Sequence, residues 1–510
     1  MPSHLYAEIE AAARDPDKVL IETQDGRAIT YRQAFAHAGR FANALRALGV
    51  EVGDRVAVQV EKSPEVILLL LGCLRAGAVF LPLNTAYTPA ELDYFLSDAE
   101  PALLVCDPAA KPALAEIATR RGVGAVETLD ARGEGSLADK AAAASPDFAD
   151  AERGPDDLAA ILYTSGTTGR SKGAMLTHEN LASNARTLRD TWAFTARDVL
   201  IHALPTFHTH GLFTATNTIL FSGASMLFLP KFDADEILRL MPRATSMMGV
   251  PTFYVRLLQH EGLTSEATAH MRLFVSGSAP LLAETHRAFA ERTGHAILER
   301  YGMTETNMNT SNPYEGERIA GTVGFPLPGI DLRVVDPQTG EGLATDEIGM
   351  IEVRGPNVFK GYWRNPEKTK AEFREDGFFV TGDLGKIDPR GYVHIVGRGK
   401  DLVITGGYNV YPKEVESEID ALPGVVESAV FGVPHPDLGE GVTAAIVLEP
   451  GASLDEAQVK AALADRLARF KQPKRVIVLP ELPRNTMGKV QKAALRERYA
   501  GLYAGGGAAG

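Results

Sequence analysis

Leu158-Ala159-Ala160-Ile161-Leu162-Tyr163-Thr164-Ser165-Gly166-Thr167-Thr168-Gly169-Arg170-Ser171-Lys172-Gly173 decides how this chain is read: a short apolar run breaks into a loop of Gly, Ser and Thr. Three later segments repeat the arrangement. Residues 199–204 precede PTFHTHG, 273–275 precede SGSAP, and 297–300 precede YGMTE. Apolar runs of this length bounded by turn residues read as buried strands. In open α/β sheets ligands gather beyond the carboxyl ends of the strands, so four such loops predict one shared site.

The flanking sequence agrees. Thr30 to Ala34 opens a stretch in which Ala34, Ala38, Phe41, Leu45 and Leu48 recur at helical spacing, and Gly49 ends it. Residues 54–60 then alternate as a strand does, and Ser63-Pro64-Glu65 reads as a cap and first turn of the next helix. Helices alternating with strands predict an α/β domain with largely parallel sheets. From about Gly340 the strands shorten and Gly/Pro turns multiply. Beyond Asp401 an α+β pattern follows, with strands at 402–404, 425–433 and 443–448 and helices near 412–421 and 454–469. The boundary is placed at Arg398 to Lys400. The terminal GGGAAG has nothing to bury and is expected to be a disordered tail, and there is no internal repeat.

Composition narrows the function. The chain has 510 residues, enough for two to four units at ~150 residues each. Its 52 Lys+Arg against 65 Asp+Glu give a formal charge of −13, which disfavours broad binding to nucleic acid or anionic membrane. Cys73 and Cys106 are too few for a disulfide framework. The apolar run from Val66 to Leu74 is far short of the ~20 residues that span a bilayer, and no signal peptide is visible. A cytoplasmic location is expected.

The glycines of the loop at 164–173 let its backbone approach an anion, its hydroxyls add donors, and Lys172 adds charge. Walker spacing fails from both Gly166 and Gly169, which speaks against a kinase or ATPase. A plain surface turn is the competing reading. His208-Thr209-His210 invites a zinc site, but no third and fourth ligand follow at suitable spacing. Glu305, Asp383 and Lys489 each read, taken singly, as a solvated residue or a turn former.

Together these motifs resemble the adenylate-forming superfamily of acyl-CoA synthetases, luciferases and adenylation domains. The TSGTTG loop is joined in order by Tyr301-Gly302-Met303-Thr304-Glu305, Thr381-Gly382-Asp383, Gly397-Arg398-Gly399-Lys400-Asp401, Gly406-Gly407-Tyr408-Asn409-Val410 and Pro483-Arg484-Asn485-Thr486-Met487-Gly488-Lys489. The resemblance covers residues ~20–500. Within the superfamily, ALPTFHTHGL, SGSAPLL and YGMTETNMNTSNPY are similar to the malonyl-CoA synthetases.

The resemblance implies a large N-terminal domain (1–397) of layered α/β subdomains with a small β-barrel-like subdomain. A hinge at 398–400, a small mobile α+β domain at 401–503 and the tail at 504–510 would follow. It assigns Thr164, Ser165, Gly166, Thr167, Thr168, Gly169 and Lys172 to the phosphates of ATP, Tyr301, Ser278 and Ala279 to its adenine end, and Gly302 and Met303 to the ATP site. Asp383 and Arg398 fall to the ribose, Thr304 beside the phosphates, Glu305 to Mg2+, Lys489 to adenylation, Lys400 to the hinge, and Gly406, Gly407 and Tyr408 to the coenzyme A side. ATP, Mg2+ and coenzyme A are the implied cofactors. A hard cation suits an oxygen ligand such as Glu305, and a preorganised lysine offsets the charge that accumulates when a carboxylate attacks a phosphate.

For the acid, His208 is expected to line the pocket with Ser278. A dicarboxylate needs a partner for its second carboxylate, and arginine matches it bidentately. The helix expected from Pro280 to Gly294 carries Arg287 on its flank; the resemblance makes Arg287 that clamp, although its pattern alone is that of a solvated arginine. Malonate is then the expected substrate, with methylmalonate accepted, since one methyl discriminates weakly. Another short-chain or aryl acid and a catalytically dead nucleotide sensor are the rivals. Acetylation of Lys489 would remove its charge, so a lysine acetyltransferase and deacetylase are possible partners.

Overall fold

The computed structural model describes residues 4–164, 171–406, 408–464, 466–485 and 488–503. Its packing divides the chain into two units, Met1–Leu332 with Val353–Phe379, and Arg333–Glu352 with Val380–Gly510. The division falls at Phe379/Val380, ahead of the hinge expected at 398–400. Its reason is local: the strands Asp331–Val335, Gly349–Arg354, Phe379–Ile387 and Val393–Arg398 form one four-stranded sheet, in the region where a barrel-like subdomain was expected.

Within the first unit, a six-stranded sheet runs in the order Ala125–Thr128, Leu103–Cys106, Arg55–Gln59, Val79–Pro82, Leu158–Thr164, Lys172–Thr177. All its neighbours are parallel except the last pair, where Thr164 lies opposite Lys172 in an antiparallel hairpin. The second sheet has nine strands, ordered Phe325–Pro326, Asn307–Ser311, Leu298–Met303, Leu273–Ser276, Ser246–Gly249, Val199–His202, Ser225–Phe228, Val19–Thr23, Ala28–Thr30. Its six strands from Leu298–Met303 to Val19–Thr23 are parallel. Three of the four loops therefore leave the same ends of one parallel sheet, as expected. The loop after Thr164 instead closes a hairpin on the other sheet.

Local chemistry accounts for the elements. Thr30 caps the helix Tyr31–Ala47 in a box with Gln33, and Ala34, Ala38, Phe41 and Leu45 on its inner face are buried. Ser63 takes the cap position of Pro64–Ala76, yet its side chain makes no capping bond; Pro64 at the first turn and Gly77 in the left-handed region bound that helix. The helix after SGSA starts at Ala283, three residues later than expected, and Gly294 ends it at φ 79°. Leu282 explains the delay, since it is extended at φ −66°, ψ 136° and takes the cap position directly before the first helical residue. Around the nine-stranded sheet, Ile201, Met247, Tyr254, Phe274, Phe289 and Ile297 pack into one core.

Gly302 ends up where the antiparallel return begins: its strand shifts register between Tyr301 and Gly302, and a side chain there would strike the Asn307 carbonyl. Gly302→Ala is expected to cost about 1–3 kcal/mol of stability, read as a lowered midpoint in chemical denaturation. No loss would mean that the hairpin can shift to accept a methyl.

In the second unit, Val425–His435 and Gly439–Leu448 form a long antiparallel pair, flanked by Val403–Thr405, Tyr408–Val410 and Arg475–Val478. The helices Pro412–Asp420 and Glu456–Leu463 cover this sheet around Val415, Ile419, Val430, Ile446 and Val459. The second helix is shorter than the expected 454–469. Residues 504–510 lie outside the described residues.

Candidate active site

The first unit assembles two adjoining groups of side chains. One starts from the hairpin. Thr164 and Lys172 face each other across its ends, and Lys172 Nζ lies 5.1 Å from the centre of the Tyr362 ring. Tyr362 reaches 3.1 Å from Glu305 Oε1 and 2.6 Å from Glu372 Oε2 with its hydroxyl. The Phe359 N–H donates to the Glu305 carbonyl at 2.7 Å, so the segment around 359–362 ties the hairpin to the turn after Leu298–Met303. Sequence reading did not single out Tyr362. It is what joins Lys172 to Glu305 across two sheets.

Glu305 is buried, while Thr304 beside it is half-buried. A buried carboxylate held by a neutral hydroxyl, next to a threonine, suits Mg2+, which takes one or two protein oxygens and fills its octahedron with phosphate and water. The residues therefore fit the implied cation. Ser165, Gly166, Thr167, Thr168 and Gly169 lie outside the described residues, as does Gly407.

The other group gathers where the parallel strands end. Ser278 Oγ and His210 Nδ1 are 3.1 Å apart. His208, half-buried, accepts the His210 N–H on Nδ1 at 3.3 Å, so the second histidine of His208-Thr209-His210 meets Ser278 while the first braces its backbone. His210 is buried, and burial together with the nearby Arg300 charge holds its pKa well below the usual imidazole range; it is neutral at physiological pH. Among the described residues the only cluster with metal-ligand spacing is His4, Glu8 and Glu179, away from this pair.

Arg300 was not singled out from sequence. It sits on the strand Leu298–Met303, only 4% exposed, with its guanidinium against Gly277, where any side chain would collide with it. Among the described residues its Nε and Nη2 are buried without a hydrogen-bond partner, and His210 Nε2 is likewise unpartnered. Burial pushes the Arg300 pKa down to about 9, which leaves it charged at neutral pH. A buried cation whose donors lack an acceptor is costly in the protein alone and well matched to an incoming carboxylate.

Arg287 is placed differently from expectation. It is exposed on Ala283–Thr293, whose buried face is Thr285, His286, Phe289 and Thr293. The buried arginine of this group is instead Arg300, whose guanidinium lies against Gly277, one residue before Ser278. Tyr301 is buried beside it; Ala279, Gly302 and Met303 are half-buried on the same loops.

In the second unit, Asp383 and Arg398 pair across the strands Phe379–Ile387 and Val393–Arg398, with Arg398 Nε 2.8 Å from Asp383 Oδ1. Thr381-Gly382-Asp383 is part of a strand and not a turn; Gly382, at φ 75°, kinks it. Lys400 is exposed in the short turn Gly399–Asp401, and Arg496 pairs with Asp401 at 2.8 Å. Gly406 adopts φ 56°, and the 59% exposed Tyr408 stacks on Phe470 at 4.7 Å. Lys489 is exposed in a tight loop: Asn485 N–H donates to its carbonyl and Asn485 Oδ1 accepts its N–H, each at 2.9 Å.

The family model described as AMP-binding enzyme matches residues 9–363, and that described as AMP-binding enzyme C-terminal domain matches residues 414–489. The ATP-bound crystal structure of MatB from Rhodopseudomonas palustris is 66% identical, with a TM-score of 0.97 over 99% of this chain and 100% of that one. A malonate–CoA ligase of Arabidopsis thaliana is 34% identical over 96% of this chain and 88% of its own length. A feruloyl-CoA synthase of an Amycolatopsis species is 37% identical over 93% and 94%. No helix among the described residues is long and apolar enough to cross a membrane.

Proposed function

The chain belongs to the AMP-binding enzyme family, and from that premise we propose that it is an ATP-dependent malonate–CoA ligase. Malonate attacks the α-phosphate of ATP to give malonyl-AMP and pyrophosphate; the thiol of coenzyme A then displaces AMP. The observation that carries the acid is Arg300, a buried charge with no carboxylate partner among the described residues, beside the His210–Ser278 pair. A ligase for a fatty or hydroxycinnamic acid has no use for such a charge, because the acid's far end brings no anion to it.

The remaining roles are part of the same proposal. Thr164 and Lys172 serve the ATP phosphates, with Ser165, Gly166, Thr167, Thr168 and Gly169 between them. Glu305 holds Mg2+, steadied by Tyr362, and the ion when bound neutralises the phosphate oxygens. Asp383 accepts from the ribose hydroxyls and Arg398 orients Asp383. Lys489 stabilises the charge of adenylation, Lys400 is the hinge, and Gly406 with Tyr408 lies on the coenzyme A side. An acetyltransferase acting on Lys489 and a cytoplasmic location are further proposals; the exposure of Lys489 supports the first.

Exchange of labelled pyrophosphate into ATP without coenzyme A tests the reading. Malonate is expected to drive it strongly, methylmalonate about 5- to 150-fold less per ~1–3 kcal/mol of methyl discrimination, and acetate, propionate and benzoate negligibly. Exchange favouring benzoate or a fatty acid would remove malonate while keeping adenylation.

A further inference from the structure

A buried lysine outside these groups has no carboxylate partner among the described residues. Lys62, just after the strand Arg55–Gln59 of the six-stranded sheet, places Nζ 2.9 Å from His202 Nδ1 and 2.7 Å from the His202 carbonyl, 4.2 Å from the centre of the Phe228 ring. His202 ends the strand Val199–His202 of the other sheet. Its Nε2 lies 3.0 Å from the Gly211 carbonyl and 3.2 Å from Thr216 Oγ1, and Thr216 Oγ1 donates to that carbonyl at 2.8 Å.

A carbonyl only accepts, so Nε2 carries the proton and Nδ1 accepts from the lysine amine. The Gly211 carbonyl sets this tautomer, and Lys62 satisfies the Nδ1 acceptor that it leaves, holding the ring where it donates to Gly211. That carbonyl belongs to the π-helix His210–Ala215, a wide turn of a type that recurs at functional sites. The turn begins at His210, whose Nδ1 meets Ser278. Burying an unpaired amine is costly, and a methionine would fill the same space, so packing alone does not account for Lys62.

We infer that Lys62 and His202 are positioning residues for the acyl pocket, holding the π-turn that presents His210 to Ser278; the inference rests on the malonate–CoA ligase reading. Lys62→Met, His202→Asn and His202→Gln in the full chain test it. Asn mimics Nδ1, whereas Gln carries its amide N–H to the Nε2 position. In pyrophosphate exchange, Lys62→Met and His202→Asn are expected to raise the malonate KM about tenfold, the worth of one buried hydrogen bond, with the ATP KM within about twofold. His202→Gln should retain a near wild-type malonate KM. Histidine ¹⁵N spectra should show His202 protonated at Nε2 in the wild type, with the Nδ1 resonance moving to that of an unbonded acceptor in Lys62→Met.

Equal KM shifts for malonate and ATP, or Asn and Gln variants that behave alike, would overturn the relay; so would an unchanged His202 Nδ1 resonance in Lys62→Met. If Lys62→Met does not fold, the Asn/Gln pair decides. A wild-type chain that exchanges with another acid and not with malonate refutes the ligase reading instead, and the relay is then judged on the KM of that acid and on the Nδ1 resonance.

Discussion

Lys489→Ala is expected to lower malonate-dependent pyrophosphate exchange by about 10²–10³-fold while leaving thioester formation from supplied malonyl-AMP within a few-fold of wild type. The asymmetry follows from the charges. Adenylation brings a carboxylate against a triphosphate, and negative charge accumulates where a preorganised cation has most effect. In the second half-reaction a thiol meets an acyl group already activated as a mixed anhydride, and this particular cation has nothing further to stabilise. The loop suits such a duty. Asn485 holds the Lys489 backbone at both its N–H and its carbonyl, and Arg484 Nη1 donates to the Gly488 carbonyl at 2.6 Å, so the lysine stem leaves an anchored backbone. Lys489→Arg separates charge from geometry: a variant that keeps charge and loses exchange shows that position matters as much as sign. Equal loss in both half-reactions would mean that Lys489 supports the domain and not the chemistry.

Much of this arrangement was legible in the sequence because it is local. Apolar runs ending in small residues do terminate parallel strands at Val199–His202, Leu273–Ser276 and Leu298–Met303. Nothing in the run at 158–164 distinguishes it from those three, since a strand's pattern records burial and not the direction of its neighbour; hence the hairpin went unseen. His208 and His210 flank the same Thr209, and only the π-turn decides which of them reaches Ser278. Arg300 was hidden for a related reason. Leu298, Glu299, Arg300 and Tyr301 are all buried, so alternation marks none of them, and an arginine is solvated by default. The one available signal was a charged pair inside a strand of a parallel sheet, where burial on both faces is the rule. Arg287 was favoured because the resemblance placed the clamp there; its own pattern reads as a solvated arginine, and it is exposed on Ala283–Thr293.

Arg300→Met is the variant in which stability and activity should part. Two charge-assisted hydrogen bonds to the second carboxylate of malonate, at about 1.5–3 kcal/mol each, amount to a loss of about 10²–10⁴ in kcat/KM for malonate. The unliganded protein should be no less stable than wild type. Arg300 is buried with two nitrogens unpartnered, so exchanging it for an apolar side chain of similar length removes a desolvation cost and leaves no orphaned acid behind. Residues that only pack do the opposite, since truncation lowers stability and activity together. Selectivity should shift too. Without the cation the site no longer penalises a methyl group where the second carboxylate would sit, and the ratio of propionate to malonate exchange rises. Arg300→Lys keeps the charge but forfeits the bidentate fork, and is expected to fall between the two. Arg287→Ala, on the exposed face of its helix, should leave malonate kcat/KM within about twofold, the usual reach of a surface substitution of ~0.5 kcal/mol. The larger loss appearing in Arg287→Ala would return the clamp to the position the sequence suggested, and would leave the buried charge of Arg300 to be explained by His210, the residue whose protonation it suppresses.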